Sequence, residues 1–126
     1  MPVFYKIDRG RRLILTSGSG PLTFDEAFSY QQRLFSDPDF DPSYSQIADF
    51  TQFTSFELSA AEVQRLAEKS NFAPQSRRAF IVPNDVSFGL ARMFEMLRAD
   101  LGEENLRVFR SLDEALDWVL SKDKPE

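Results

Sequence analysis

The chain contains no cysteine and no histidine. The first absence excludes disulfides, thiolate nucleophiles and Cys-ligated metals. The second removes the usual general base and the commonest metal ligand. No apolar run is long enough to span a membrane as a helix. The opening residues, Met1-Pro2-Val3-Phe4-Tyr5-Lys6, lack a signal-peptide pattern, so the cytoplasm is the expected location. Basic residues are in the minority: 15 Lys and Arg against 20 Asp and Glu leave a net charge of −5. That balance argues against nucleic-acid binding, which needs basic patches to displace counterions. The short basic clusters, Arg9-Gly10-Arg11-Arg12 and Arg77-Arg78, read as solvated turn and strand-entry residues.

What is present fits one domain. A length of 126 residues, with 42% hydrophobic and 28% charged, is a globular balance. Residues 1–121 are expected to form a single α/β domain and 122–126 a charged tail. Phenylalanine is abundant, at 13 residues. Each buried aromatic removes a large apolar area from water. More rings than a small core can hide would leave some to meet another molecule.

Three S/T-x-x-E capping boxes start at Thr23, Ser59 and Ser111, each ahead of a helical apolar pattern. Strands are predicted over 3–8 and 12–17 as a hairpin turning at Arg9-Gly10, and over 45–50, 78–83 and 106–110. The apolar run Ala79-Phe80-Ile81-Val82 suits a buried central strand. A helix over about 85–101 ends near Gly102. The order β-β-α-β-α-β-α-β-α predicts a mixed, mostly parallel five-stranded sheet with four helices. The first strand is then an antiparallel edge.

Three stretches resemble the SpoIIAA-like branch of the STAS superfamily (STAS/SEC14-like). They are Asp37-Pro38-Asp39-Phe40-Asp41-Pro42-Ser43, Ile47-Ala48-Asp49-Phe50 and Phe88-Gly89-Leu90-Ala91-Arg92-Met93-Phe94-Glu95. The element order agrees over nearly the whole chain. The resemblance implies a mixed, mostly parallel sheet packed with helices. It also implies a regulatory or protein-interaction module, as in anti-sigma-factor antagonists. Such domains are phosphorylated on a Ser in an Asp-Ser-Ser-Gly-like context. Here the region reads Phe56-Glu57-Leu58-Ser59-Ala60, which puts Leu58 at that position with Ser59 beside it and no following Gly. Ser59 as a helix N-cap is the simpler reading.

Other constellations are weaker. Asp37, Asp39 and Asp41 alternate as in a calcium loop, but Pro42 and Ala48 stand where Gly and Glu are required. Ser17-Gly18-Ser19-Gly20-Pro21 lacks the Lys and spacing of a phosphate loop and reads as a turn. Asp49 and Thr51 after one central strand, with Asn84 and Ser87 after the next, are candidates for a polar crevice at the carboxyl edge of the sheet. No activated nucleophile or orienting base accompanies them, so no catalytic residue, metal or cofactor is predicted.

On the helix after the fourth strand, Val86, Leu90, Met93, Phe94, Leu97 and Leu101 form a core stripe at 100° per residue. Phe88, Arg92 and Met96 lie on the other side and point to contact with something besides the sheet: an adjacent helix of the same chain, a second subunit or a ligand. Phe50, Phe53 and Phe56 crowd the entry to the second helix. Two functions follow. One is a non-enzymatic interaction module that self-associates, as a homodimer, or binds another protein through Phe88, Arg92 and Met96. The other is a carrier or sensor of an apolar, lipid-like small molecule, with Phe53, Phe56 and Phe88 at the pocket.

Overall fold

The computed structural model describes residues 3–121, so the expected tail at 122–126 lies outside the described residues. In chain order the elements are β1 (Val3–Asp8), β2 (Leu13–Gly18), β3 (Gly20–Thr23), α1 (Phe24–Phe35), β4 (Ser45–Asp49), β5 (Phe53–Glu57), α2 (Ala60–Ala67), β6 (Arg78–Ile81), α3 (Asp85–Asp100), β7 (Leu106–Phe109) and α4 (Leu112–Leu120). The main sheet has five strands in the order β1-β2-β4-β6-β7. β1 runs antiparallel to β2, and every other neighbouring pair is parallel. This is the mixed sheet that the sequence predicts.

Two strands have no counterpart in the prediction. β3 and β5 leave the main sheet and pair with each other as a separate parallel ribbon. Their register slips between Gly20 and Pro21, and Gly20 takes φ +74°, which suits a residue without a side chain. The Gly-rich stretch read as a turn is therefore the end of β2 and the start of β3. The Phe-rich entry to the second helix contains β5.

The predicted caps form. The Thr23, Ser59 and Ser111 side chains accept from the backbone N–H of Glu26, Glu62 and Glu114. Only at Ser59 does the Glu62 carboxylate also accept from the cap N–H and close the full capping box; at Thr23 and Ser111 the hydroxyl half alone forms. Asn84 caps α3 with Ser87 in the reciprocal position. The hairpin turn places its positive φ at Arg12 (+54°) rather than at Gly10.

Strand alternation divides the core between the two faces of the sheet. Leu13, Ile47, Ala79 and Ile81 point to one face and pack on Ala115 and Val119 of α4. Ile14, Ala48, Phe80 and Val82 point to the other, where α1 and α3 cover them through Leu34 and Ala91. α2 lies alongside α1 and α3.

Two sequence expectations need correction here. The α3 core stripe is rotated: Ser87, Ala91 and Arg98 are buried, while Val86 and Leu101 are 72% and 60% exposed. Arg98 takes a core position because a buried acid awaits it. Arg77 and Arg78, expected in solvent, are both buried. β6 is a central strand covered on both faces, so even its entry residues are enclosed.

Candidate functional site

Between the sheet and the helices α1, α2 and α3 lies a half-enclosed cavity of about 110 Å3. Its floor is set by alternate residues of three adjacent strands: Thr16 on β2, Gln46 and Ala48 on β4, and Arg78 and Phe80 on β6. The helices contribute Tyr30 and Leu34, Val63 and Leu66, and Ala91 and Phe94. The β3–β5 ribbon adds Leu22 and Phe56. The walls are almost wholly apolar, with aromatic rings prominent among them. Phe80 stacks on Phe94 at 5.5 Å and meets Phe50 edge-on at 5.3 Å.

One side of the cavity is polar, and its groups are tied into a single network. Gln46 and Arg78 are register partners on β4 and β6. Gln46 Oε1 accepts from Arg78 Nε at 3.0 Å. Gln46 Nε2 donates to Thr16 Oγ1 at 3.1 Å and to the Tyr30 hydroxyl at 2.7 Å. Those two hydroxyls bond each other at 2.6 Å. On its far side, Arg78 Nη1 donates to both oxygens of Glu103, at 3.0 and 3.1 Å, and to Ser70 Oγ at 3.4 Å. Arg98 Nε donates to the same Glu103 Oε1 at 2.8 Å, and its Nη1 to the Ala67 carbonyl at 2.7 Å.

The electrostatics follow from burial. Arg78, Arg98 and Glu103 are all more than nine-tenths buried, so two guanidinium groups share one carboxylate. Burial pulls the Arg78 guanidinium below its usual value, and the Glu103 charge pulls it back up. Phe72 and Phe80 flank the Arg78 guanidinium carbon at 4.2 and 5.6 Å from their centroids. This delocalised cation tolerates such aromatic company better than an ammonium would. Burial also raises the phenol of Tyr30.

The residues singled out in the sequence are scattered. Phe56 lines the cavity. Phe53 opens β5, is buried against Val3 and Leu22, and is not part of the cavity wall. Phe88 is half-buried beside Ala91, with the Arg110 guanidinium 5.6 Å from its ring centre, and is likewise off the wall. Arg92 and Met96 stay exposed on α3, and Arg92 pairs with Glu95 at 3.3 Å. Asp49 accepts from Thr51 N–H at 2.9 Å and from Thr51 Oγ1 at 2.6 Å. Asn84 and Ser87 bond each other in the α3 cap. No hydrogen bond joins the Asp49 pair to the Asn84 pair among the described residues, so each serves its own loop. Ser59 is exposed at the start of α2 with its side chain in the capping box.

Asp37 and Asp41 accept from backbone N–H groups within their own loop, and Asp37 also accepts from Tyr5 at 2.7 Å. Thr16, Tyr30, Gln46, Arg78, Arg98 and Glu103 escape a reading of the sequence. The signal for two of them is there: Gln46, second in β4, and Arg78, first in β6, are polar residues that each precede an apolar run on neighbouring central strands.

No protein-family model matches the chain, and neither does any curated protein. Among solved structures, the chain is similar to an uncharacterized protein of the DUF3478 family with a SpoIIAA-like fold from Shewanella loihica PV-4. The two are 18% identical, with a TM-score of 0.61 over 94% of each chain. At that likeness over nearly the whole of both chains, this five-stranded mixed sheet with its four helices is a SpoIIAA-like fold.

Proposed function

We propose that this protein is a non-enzymatic STAS-type module that binds a small apolar molecule in the cavity under α1, α2 and α3, as a carrier or a sensor. The observation that carries this reading is the cavity itself. Side chains of a well-packed domain leave few voids larger than a water molecule. Here about 110 Å3 remains open amid Phe50, Phe56, Phe80 and Phe94. The space is smaller than the roughly 150 Å3 apolar cavity that takes up benzene, but it is half-enclosed rather than sealed, so a single ring can extend toward its opening. An aromatic lining with a few convergent polar groups is the usual form of a small-molecule site. The SpoIIAA-like fold supports a binding module rather than a catalyst.

Toluene is a suitable neutral probe. It should raise the melting temperature of the protein in proportion to the logarithm of its concentration. Ala48→Leu and Ala91→Leu each place three extra carbons on a wall of the cavity and should abolish the shift while the protein stays folded. A melting temperature indifferent to toluene would remove the reading. A second reading, self-association through α3, rests on Met96, which is 59% exposed beside Arg92. Light scattering of wild type and Met96→Glu tests it: a monomer unchanged by the substitution rules it out.

A further inference from the structure

We infer that the ligand of this cavity is a small monocarboxylate whose anionic end sits at Arg78, with Tyr30 or Thr16 as a second donor; this deepens the apolar-ligand reading and rests on it. The polar network has more hydrogens to give than oxygens to take them. Gln46 Nε2 spends both of its hydrogens, one on Thr16 and one on Tyr30. The bond between those hydroxyls uses only one of their two hydrogens. One hydroxyl hydrogen therefore has no acceptor within the network, whichever of the two donates. Arg78 repeats the pattern. Its Nε is bonded to Gln46 and its Nη1 to Glu103 and Ser70, while Nη2 has no partner among the described residues. Thr16, Tyr30 and Arg78 all belong to the cavity wall.

The polar side of the cavity thus holds surplus donors. An acceptor is needed to satisfy them, and a ligand that only donates would leave them unpaired.

Charge narrows the choice. Arg78 and Arg98 against Glu103 leave one buried positive charge uncompensated. A buried charge is costly unless it is paired. A monoanion neutralises the cluster, whereas a doubly charged phosphate would overshoot it. The two adjacent Nη2 hydrogens and the neighbouring hydroxyl suit the two oxygens of a carboxylate. Beyond them the walls are apolar and the space small, so the body of the ligand is a short hydrocarbon or a single ring.

Calorimetric titration of the whole protein with phenylacetate and with its neutral isostere phenylacetamide tests this. Hydrogen bonds to a charged partner predict phenylacetate tighter by roughly ten- to a hundredfold. Arg78→Gln should erase that preference, and Ala48→Leu should abolish binding of both. Should Arg78→Gln fail to fold, the wild-type preference still decides. The Arg78 Nε and Gln46 Nε2 resonances should then shift with phenylacetate and stay fixed with phenylacetamide. Equal affinities, or tighter phenylacetamide, would overturn the inference while leaving the apolar cavity reading intact. If toluene, phenylacetamide and phenylacetate all fail to bind, both readings fall together.

Discussion

Glu103→Gln is the most severe single-atom change the structure offers. The Glu103 side chain is only 4% exposed and accepts from Arg98 at 2.8 Å and from Arg78 at 3.0 and 3.1 Å. Exchange of one oxygen for an amide nitrogen keeps the volume and loses the charge. It leaves two buried guanidinium groups with no anion and sets an N–H2 against donors. Breaking one side of a buried ion pair in this way costs about 3–5 kcal/mol. Unfolding entropy near the melting point is about 2.1 cal/mol/K per residue. Over 126 residues that is about 0.26 kcal/mol/K, so the melting temperature should drop by roughly 10–20 °C. Circular dichroism melts and urea titration both read the change. The double variant Arg98→Met, Glu103→Gln restores a single excess charge and should recover part of the loss, as coupled neighbours do. A Glu103→Gln protein within about 1 kcal/mol of wild type would refute the claim that one carboxylate holds two buried cations.

Three further outcomes are expected. Gly89 sits mid-helix on α3 with open space where a methyl group would stand, so Gly89→Ala should stabilise by about 0.5–1 kcal/mol in a denaturant titration; Gly102, at φ +100°, should lose about 1–2 kcal/mol as Gly102→Ala. Ser59→Ala removes the α2 cap and should cost about 1 kcal/mol, whereas Ser59→Asp should keep most of the stability because Asp also caps. In an alkaline absorbance titration, Tyr5 should ionise last or nearly so. Burial first, and then its bond to the Asp37 carboxylate, push its pKa up to about 12. A raised phenol stabilises the fold fully below pH 10, and that contribution is lost as pH climbs toward 12. Titration of all three tyrosines together near pH 10 would contradict it.

The helices, their caps and the five main strands are legible in the sequence because each has a local cause. A capping hydroxyl three residues before a Glu, or an apolar run between turn residues, is visible without any knowledge of the rest of the chain. The ribbon is not, since Gly20–Thr23 and Phe53–Glu57 become strands only by meeting each other. Phe53 shows the same limit: its ring is surplus until the ribbon forms and seats it against Val3 and Leu22. Arg78 departs from expectation for a related reason. An arginine is read as solvated by default, and its burial depends on Glu103, 25 residues away, and on Gln46, 32 away. The rotation of the α3 stripe follows from the same partner, because Arg98 claims a core position that periodicity assigns to an apolar residue. Site chemistry that arises from long-range pairing leaves little trace in sequence spacing.

The β3–β5 ribbon behaves differently from the sheet it departs from. A two-stranded ribbon has little stability of its own, and this one is spliced into the links that lead from β2 to α1 and from β4 to α2. It can therefore unzip without tearing a single rung of the five-stranded ladder. Its opening would lift Leu22 and Phe56 off the cavity while the floor of Thr16, Ala48 and Phe80 stays in place. In hydrogen exchange, its amides form the hatch: quicker to trade with solvent than those of β4 and β6, and slowed when a guest occupies the space beneath.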